Sequence, residues 1–225
     1  YIDPHAKAIN AVNTIVNRNG LLYGYNTDYP GFSYLCDAHG VEFKDRTVLI
    51  LGTGGTHNTT WAVAHDRGAK QIYTVSRHPD PEKGELTYAQ ALTTGAQIII
   101  NTTPVGMYPK ENAAPLHYLP HKTEYVFDAI YNPPVTSTMK LANPRKTKTR
   151  DGLFMLVMQA AHAQTIWSGV TFEPASCETI LRRTYGKMAV KRLHEKYGKK
   201  NLVLCGFMGS GKTTIGRKLA RVTGL

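Results

Sequence analysis

Apolar residues in the first two thirds of the chain gather in short runs at residues 48–51, 72–75, 96–100 and 125–130. The first and third runs are continuous rather than alternating, which is typical of parallel strands buried on both faces. A glycine-free stretch of helix length, residues 58–66, separates the first two runs. Strands that alternate with helices in this way predict an α/β fold built on a parallel sheet.

The amino-terminal pattern predicts a hairpin between two helices. Residues 11–17 and 21–25 have strand composition and flank the turn sequence Asn-Arg-Asn-Gly. Residues 5–10 have helical composition. The triplet Asn26-Thr27-Asp28 predicts the cap of a second helix that runs to about residue 39.

Helical patterns dominate the remainder of the chain. Asp151-Gly152 precedes a predicted helix over residues 153–167, whose apolar stripe comprises Met155, Leu156, Ala160 and Ala163. Residues 173–197 predict one or two helices, with Gly186 as the break. A polar linker, a strand over residues 201–205 and a helix over residues 215–222 follow.

A glycine cluster, Gly52-Thr53-Gly54-Gly55, ends the first buried run. Strand, tight turn and helix in this order are typical of dinucleotide-binding folds, where the helix N-terminus faces a pyrophosphate. The third glycine of the usual pattern is replaced by His57. The motif alone therefore leaves a plain strand–turn–helix unit open as the alternative.

Composition indicates an ordinary globular protein of one large or two smaller domains. The 225 residues are 42% hydrophobic and 19% charged, with no apolar run of membrane-spanning length. We also expect no signal peptide. Cys36, Cys177 and Cys205 are far apart, which predicts reduced thiols in a cytoplasmic protein. Because the chain opens at Tyr1 in mid-pattern, we expect a fragment that is cut at both ends.

The formal net charge of +11 raises the question of a nucleic-acid partner. The basic residues cluster at residues 145–150 and 182–200, without a recognisable nucleic-acid module or interleaved aromatic residues. Solvated helix faces and phosphate-bearing small ligands account for the charge better, so we expect neither a nucleic-acid nor a membrane partner.

Five motifs in order resemble the shikimate dehydrogenase family. AVNT with GYNTDYPG, residues 11–31, is similar to that family's substrate-domain signature, and LGTGGT to its glycine turn. NTTPVGM at 101–107 resembles the nicotinamide-side loop, and the segments at 128–136 and 151–167 resemble the last two signatures. The resemblance covers residues 1 to about 170 and implies a Rossmann-like, doubly wound parallel sheet.

The resemblance also implies a division of the chain. Residues 1–45 would be the remnant of a substrate-binding domain, and residues 46–150 an NADP-binding domain. Residues 151–197 would be helices that return to the substrate domain, followed by a linker. Residues 200–225 would begin a truncated P-loop domain.

The reaction implied is reversible hydride transfer between NADPH and the 3-keto group of 3-dehydroshikimate, which gives shikimate. The family uses a Lys–Asp pair to manage the proton, and Asp28 matches its Asp. We expect the Lys and the carboxylate-binding serines upstream of Tyr1, so the fragment alone should be inactive. The substrate-binding residues implied are Asn13, Asp28, Tyr131 and Gln159. Taken singly, Asp28 also fits a helix cap, and Tyr131 a half-buried aromatic residue.

Cofactor choice is set where the second strand ends, because an acid there binds the ribose of NAD and a basic residue accepts the 2′-phosphate of NADP. This chain has Ser76-Arg77-His78 there, which favours NADP, and its first acid, Asp80, lies beyond them. Asn58 replaces a common family Arg, and Lys83 is the nearby second cation. The cofactor residues expected are Gly52, Thr53, Gly54, Gly55, Thr56, Ser76, Arg77, Thr103, Pro104, Val105, Gly152 and Met155.

The segment GFMGSGKT, residues 206–213, fits the P-loop pattern GxxxxGK[ST] between a predicted strand and helix. We expect Gly209, Gly211, Lys212 and Thr213 to bind ATP, with Thr213 on Mg²⁺. The longer string from residue 201 to 220 looks like the start of shikimate kinase, which implies a dehydrogenase–kinase fusion.

Other functions stay open at this point. The full chain could act mainly as a kinase, as a non-catalytic nucleotide-binding homologue, or as a quinate-using, NAD-preferring relative. The partner expected is the small substrate, and a homodimer is a further option.

Overall fold

The chain divides into two compact units, Tyr1–Glu173 and Pro174–Leu225. The computed structural model describes residues 1–198, 205 and 209–223. The predicted strand over residues 201–205 therefore lies outside the described residues except for Cys205. The expected boundaries near residues 45 and 150 fall within the first unit and stay a prediction.

The amino-terminal segment is the predicted hairpin between two helices. Its elements are α1 (Pro4–Ile9), β1 (Thr14–Arg18), β2 (Leu21–Tyr25) and α2 (Asp28–Ala38). Asn19 and Gly20 form the turn with φ values of 53° and 87°, as a two-residue turn of type I′ requires. β1 begins three residues later than predicted because Ala11 still closes the end of α1 with a hydrogen bond to Ala6 O.

Five parallel strands form the larger sheet of the first unit. They are β3 (Thr47–Leu51), β4 (Gln71–Val75), β5 (Ile98–Asn101), β6 (Tyr125–Asp128) and β7 (Lys148–Arg150), in the order β4-β3-β5-β6-β7. The chain runs from β3 outward to β4 and then crosses back to β5. This reversal places a switch point at the carboxyl ends of β3 and β5, where ligands bind in open α/β sheets.

Side chains of alternate strand residues pack into two hydrophobic cores, one on each face of the sheet. Val48 and Ile50 of β3 face the core beneath α2, α3 (Gly55–Asp66) and α6 (Leu153–Ser168). Leu49 and Leu51 face the opposite core, which α4 (Tyr88–Ala91) and α5 (Ser137–Lys140) help to cover. All four side chains are fully buried. The doubly wound α/β prediction is confirmed.

Several element boundaries differ from the prediction. α3 begins at Gly55, three residues early, because the helix starts directly from the glycine turn. β6 ends at Asp128, two residues early, where the Asp128 carboxylate accepts the N–H of Ile130 and turns the chain. Leu156 and Ala160 of α6 are exposed rather than part of its buried stripe, which is formed by Leu153, Met158 and Ala163.

The basic residues at 145–150 do not lie on a helix face as expected. Lys148–Arg150 is the edge strand β7, and its two basic side chains point to the solvent while Thr149 is half-buried. Charged residues on an edge strand also discourage pairing with other chains.

The second unit contains α7 (Pro174–Tyr197) and α8 (Lys212–Thr223). α7 continues through Gly186, so the alternative of a single helix is confirmed. One glycine costs a helix only about 1 kcal/mol. None of the helices in the described part of the chain has the length and apolar character needed to cross a membrane.

Candidate active site

The glycine turn lies at the switch point, where β3 and β5 end side by side. Gly52 has φ of 101°, and a Cβ atom there would lie 2.9 Å from Thr103 Cγ2. Its N–H donates to Val75 O at 2.8 Å, while Thr102 Oγ1 donates to Leu51 O at 2.7 Å. Gly52 is therefore required by both backbone conformation and the close approach of the loop after β5.

The next two glycines have no such requirement from the protein itself. Neither Gly54 nor Gly55 has a positive φ, and a Cβ atom at either would meet no heavy atom within 4 Å. Gly54 is the N-cap of α3 and offers no side-chain acceptor to the first turn. The N–H groups at the start of α3, those of Gly55 and Thr56 among them, and the open space at Gly54 and Gly55 fit the pyrophosphate of a dinucleotide.

The loop after β5 is held by a buried polar network. Asn101 Oδ1 accepts hydrogen bonds from Thr103 N at 3.0 Å and Thr103 Oγ1 at 2.7 Å. Asn101 Nδ2 donates to Asp128 Oδ1 at 3.0 Å, and Thr136 Oγ1 donates to Asp128 Oδ2 at 2.7 Å. Thr103 Oγ1 in turn accepts the N–H of Val105 at 3.2 Å. The loop that carries Thr103, Pro104 and Val105 is thus fixed from its base.

Burial dominates the electrostatics of this network. It raises the pKa of the Asp128 carboxyl from 3.8 to about 6, although the hydrogen bonds from Thr136, Asn101 and Ile130 oppose the shift. The sequence motifs contained Asn101, Asp128 and Thr136, but no role was predicted for Asp128. An Asp at the end of a strand that is otherwise apolar could have indicated this buried carboxylate.

A cavity of about 700 Å³ opens beside the end of β4. We call it the β4 cavity; its lining comprises Thr53, His57, Asn58, Trp61, Thr74, Ser76, His78, Asp80, Lys83 and Glu85. His57 Nε2 lies 2.8 Å from Thr74 Oγ1, which joins α3 to β4. Ser76, predicted to bind the cofactor, lines this cavity.

Arg77 lies outside that lining and is exposed. It lies near Tyr88, because burial raises the pKa of the Tyr88 phenol and the charge of Arg77 partly offsets this rise. The cation of the β4 cavity is Lys83, whose Nζ is 3.0 Å from Asp80 Oδ2.

The predicted substrate residues Asn13, Asp28 and Gln159 come together around Thr27. Asn13 Oδ1 accepts the N–H of Thr27 at 2.9 Å, and Thr27 Oγ1 lies 3.1 Å from Gln159 Oε1. The Asn13 side chain also interacts with the Asp28 carboxyl, whose pKa burial raises and this interaction partly lowers. Thr27, fully buried, was not predicted to belong to this cluster.

The interpretation of Asp28 as a helix cap is wrong. Asp28 is the first residue of α2, and the acceptor at that helix start is Asn26 Oδ1, which binds Asp28 N at 3.0 Å and Tyr29 N at 3.2 Å. The Asp28 carboxyl does not cap the helix and is available to interact with Asn13. Burial raises its pKa, and the hydrogen bond with Asn13 partly offsets that rise.

Helix α6 delivers Gln159 by packing closely on α2. A Cβ atom at Gly31 would lie 2.8 Å from Met155 O and 3.0 Å from Gln159 Cβ. Gly152 is equally constrained, since a Cβ atom there would collide with the carbonyl oxygen of Ala129. Two predicted cofactor residues, Gly152 and Met155, thus lie on the start of the helix that also carries Gln159.

Tyr131 lies in the loop after β6 and is 41% exposed. We use the name Asp28 cluster for Asn13, Thr27, Asp28 and Gln159. Tyr131 follows β6, whose Asp128 anchors the predicted nicotinamide-side loop, and it has no side-chain hydrogen bond to the Asp28 cluster. Its role stays a prediction. Among the described residues, no group of three His, Cys, Asp or Glu side chains is arranged to hold a metal ion.

Known proteins resemble this chain over most of its length. The NADP(+) shikimate dehydrogenase of Clostridium perfringens strain SM101 is 37% identical over 191 residues, which are 80% of this chain and 70% of that protein. This chain belongs to the shikimate dehydrogenase family. No protein-family model matches it.

Solved structures of shikimate dehydrogenases agree with the fold. A chorismate mutase/shikimate 5-dehydrogenase fusion protein from Clostridium acetobutylicum superposes with a TM-score of 0.79 at 33% identity, over 84% of this chain and 72% of that chain. The shikimate 5-dehydrogenase of Thermus thermophilus, solved with NADP(H) and shikimate, gives 0.70 at 30% identity, over 81% and 71%.

The second unit holds the described part of the predicted P-loop. Gly209 and Gly211 have φ values of 80° and 77°, and α8 begins at Lys212. Lys212 Nζ lies 3.4 Å from Ser210 Oγ, and Thr213 is exposed on the first turn. Residues 206–208 of the motif lie outside the described residues.

The raised pKa of Asp128 predicts a pH dependence of stability. In the folded protein the Asp128 carboxyl loses its proton near pH 6, whereas in the unfolded chain it loses it near the ordinary value of 3.8. The contribution of Asp128 to stability therefore falls as pH rises from 3.8 to about 6. At about 1.4 kcal/mol per pH unit, the loss is roughly 2–3 kcal/mol. Urea unfolding of the wild type and Asp128→Asn across this window should give a difference in unfolding free energy that declines with pH.

A control of opposite sign is Asp66, whose pKa is lowered chiefly by the hydrogen bond from Tyr29. The same comparison with Asp66→Asn, carried below pH 3.8, should give a difference that rises with pH up to about that value. A difference for Asp128→Asn that is flat with pH would contradict the assignment.

Proposed function

We propose that this chain is the dehydrogenase of an NADP-dependent interconversion of 3-dehydroshikimate and shikimate. The observation that carries the proposal is the Asp28 cluster. A half-buried carboxyl with a raised pKa interacts with Asn13, and Thr27, the residue before it, contacts Gln159. The same compact unit contains a glycine turn whose empty space fits a pyrophosphate.

Bound NADPH would supply the hydride, so the protein's task is positioning and proton transfer. The N–H groups at Gly54, Gly55 and Thr56 would hold the pyrophosphate. The loop from Thr103 to Val105, fixed by Asn101, would support the nicotinamide side. Asn13 and Gln159 would bind substrate hydroxyls.

Asp28 would exchange a proton at the substrate oxygen whose carbon gains or loses the hydride. A carboxyl with a raised pKa is a better proton acceptor than an ordinary Asp. The family pairs this Asp with a Lys that matches no motif of this sequence. We therefore infer that these 225 residues alone turn over little or no substrate. A homodimer and a cytoplasmic location stay predictions.

Asp28→Asn tests the proton-transfer role. The amide keeps the shape and the hydrogen bond to Asn13 but cannot take up a proton. In the full-length enzyme we expect kcat for shikimate oxidation to fall roughly a hundredfold or more, with little change in the melting temperature. Asp37→Asn, the same change at the other end of α2, should leave kcat unchanged. Normal turnover combined with a collapse in melting temperature would assign Asp28 a structural role.

Arg77→Ala tests the cofactor. A charge-assisted bidentate bond to a phosphate contributes about 1.5–3 kcal/mol, so NADPH binding should weaken roughly ten- to a hundredfold. NADH binding should hardly change, because it has no phosphate at this position. Fluorescence titration of both dinucleotides measures the effect, with exposed Lys70→Ala at the opposite end of β4 as the control. Equal losses for both dinucleotides would mean that Arg77 supports only the loop.

A second candidate function is ATP binding by a fused kinase domain. It is favoured by the P-loop sequence together with the positive φ at Gly209 and Gly211 and the start of α8 at Lys212. These features fit a loop whose N–H groups would surround phosphates, with Thr213 on Mg²⁺. A kinase as the main activity is not favoured, since the family shown is the dehydrogenase.

The present chain should bind ATP weakly or not at all. Its 26 residues from 200 to 225 cannot build the sheet that holds a P-loop rigid. Titration of ATP with Mg²⁺ against the chain checks this expectation. Micromolar binding that is abolished by Lys212→Ala would contradict it.

A further inference from the structure

The β4 cavity contains more negative than positive charge. Its lining has one ammonium group, Lys83, against two carboxylates, Asp80 and Glu85. The imidazoles of His57 and His78 complete the titratable groups of the lining. A 2′-phosphate carries nearly two negative charges at neutral pH, so this cavity opposes it more than an uncharged one would.

Asp80 is held in place by the backbone around it. Its Oδ1 accepts the N–H of Glu82 at 3.1 Å and so caps the 3-10 helix Pro81–Lys83. Its own N–H donates to Glu85 Oε2 at 3.1 Å. The carboxylate therefore cannot withdraw from the cavity without opening this turn.

Lys83 is engaged by the same carboxylate. Its Nζ lies 3.0 Å from Asp80 Oδ2, and its side chain is 72% exposed. This hydrogen bond also holds the pKa of Asp80 below its usual value. A phosphate in the cavity would compete with Asp80 for the ammonium group of Lys83. Arg77 could contact that phosphate only by extending into the cavity from outside its lining.

We propose that Asp80 is a specificity-determining residue that lowers this chain's preference for NADP over NAD. The carboxylate repels the 2′-phosphate and competes for Lys83, whereas it accepts a hydrogen bond from the free 2′-hydroxyl of NAD. This inference rests on the proposed function, because it assumes that the adenosine ribose lies in the β4 cavity.

Asp80→Asn is the sharpest test. The amide keeps the oxygen that caps Glu82 N, so the turn should persist while the charge is lost. We expect the variant to bind NADPH roughly three- to tenfold more tightly than the wild type, because a screened like charge a few ångströms away is removed. NADH affinity should stay equal or fall. Adenosine 2′,5′-bisphosphate and 5′-AMP, titrated in parallel, should show the same contrast without the nicotinamide.

Glu82→Gln is the matched control, since it removes one negative charge from the same turn at a side chain outside the cavity lining. It should leave the ratio of NADPH to NADH affinity unchanged. The gain from Asp80→Asn should also shrink in roughly 1 M salt, where charge interactions are screened within about 3 Å.

The outcomes separate the inference from the function beneath it. Unchanged NADPH affinity in Asp80→Asn, or an equal gain in Glu82→Gln, overturns the role of Asp80 and leaves the dehydrogenase proposal intact. A wild-type chain that binds neither dinucleotide overturns both. Circular dichroism of each variant shows whether the fold is kept, and Asp80→Ser provides a second uncharged N-cap if the Asn variant does not fold.

Discussion

Asp128 accepts three hydrogen bonds at the point where the loop after β5, the end of β6 and the start of α5 meet. Burying a carboxylate is costly unless donors compensate for lost water. The three donors here come from Asn101, Ile130 and Thr136, so each must hold its position to keep the charge satisfied. The loops that border the proposed cofactor site are therefore fixed by one buried charge rather than by apolar packing alone.

The substrate side depends on a different constraint, the close contact of α2 and α6. Gly31 allows the backbone of α6 to approach so closely that Gln159 reaches Thr27, which lies 132 positions away in the chain. A larger residue at Gly31 would push the helices apart, and overpacking of this kind costs about 1–3 kcal/mol. The Asp28 cluster therefore depends on Gly31, which lies about one helical turn after Asp28 and allows α6 to pack closely.

Local signals in the sequence were enough to predict the strands β3, β4 and β5, the hairpin turn at Asn19-Gly20 and the glycine turn, because each rests on neighbouring residues. The resemblance to a family brought Asn13, Asp28 and Gln159 into one cluster, which periodicity could not have done. The triplet Asn26-Thr27-Asp28 was predicted to cap α2, but the sequence could not single out Asn26 as the side-chain acceptor because an Asn, a Thr and an Asp in a row offer equivalent acceptors. The edge strand β7 was missed because three residues, two of them basic, have little strand character without a partner.

The charge of the chain shows why composition predicts binding less well than position does. The formal net charge of +11 favours anionic ligands, yet the β4 cavity has one ammonium group against two carboxylates. Charges farther away than a screening length of about 8–10 Å contribute little at ordinary ionic strength. Basic residues on β7, at the opposite edge of the sheet from β4, therefore cannot decide what binds near Ser76. The groups that decide are those fixed by the turn after β4, where Asp80 accepts the N–H of Glu82 and Glu85 accepts the N–H of Asp80.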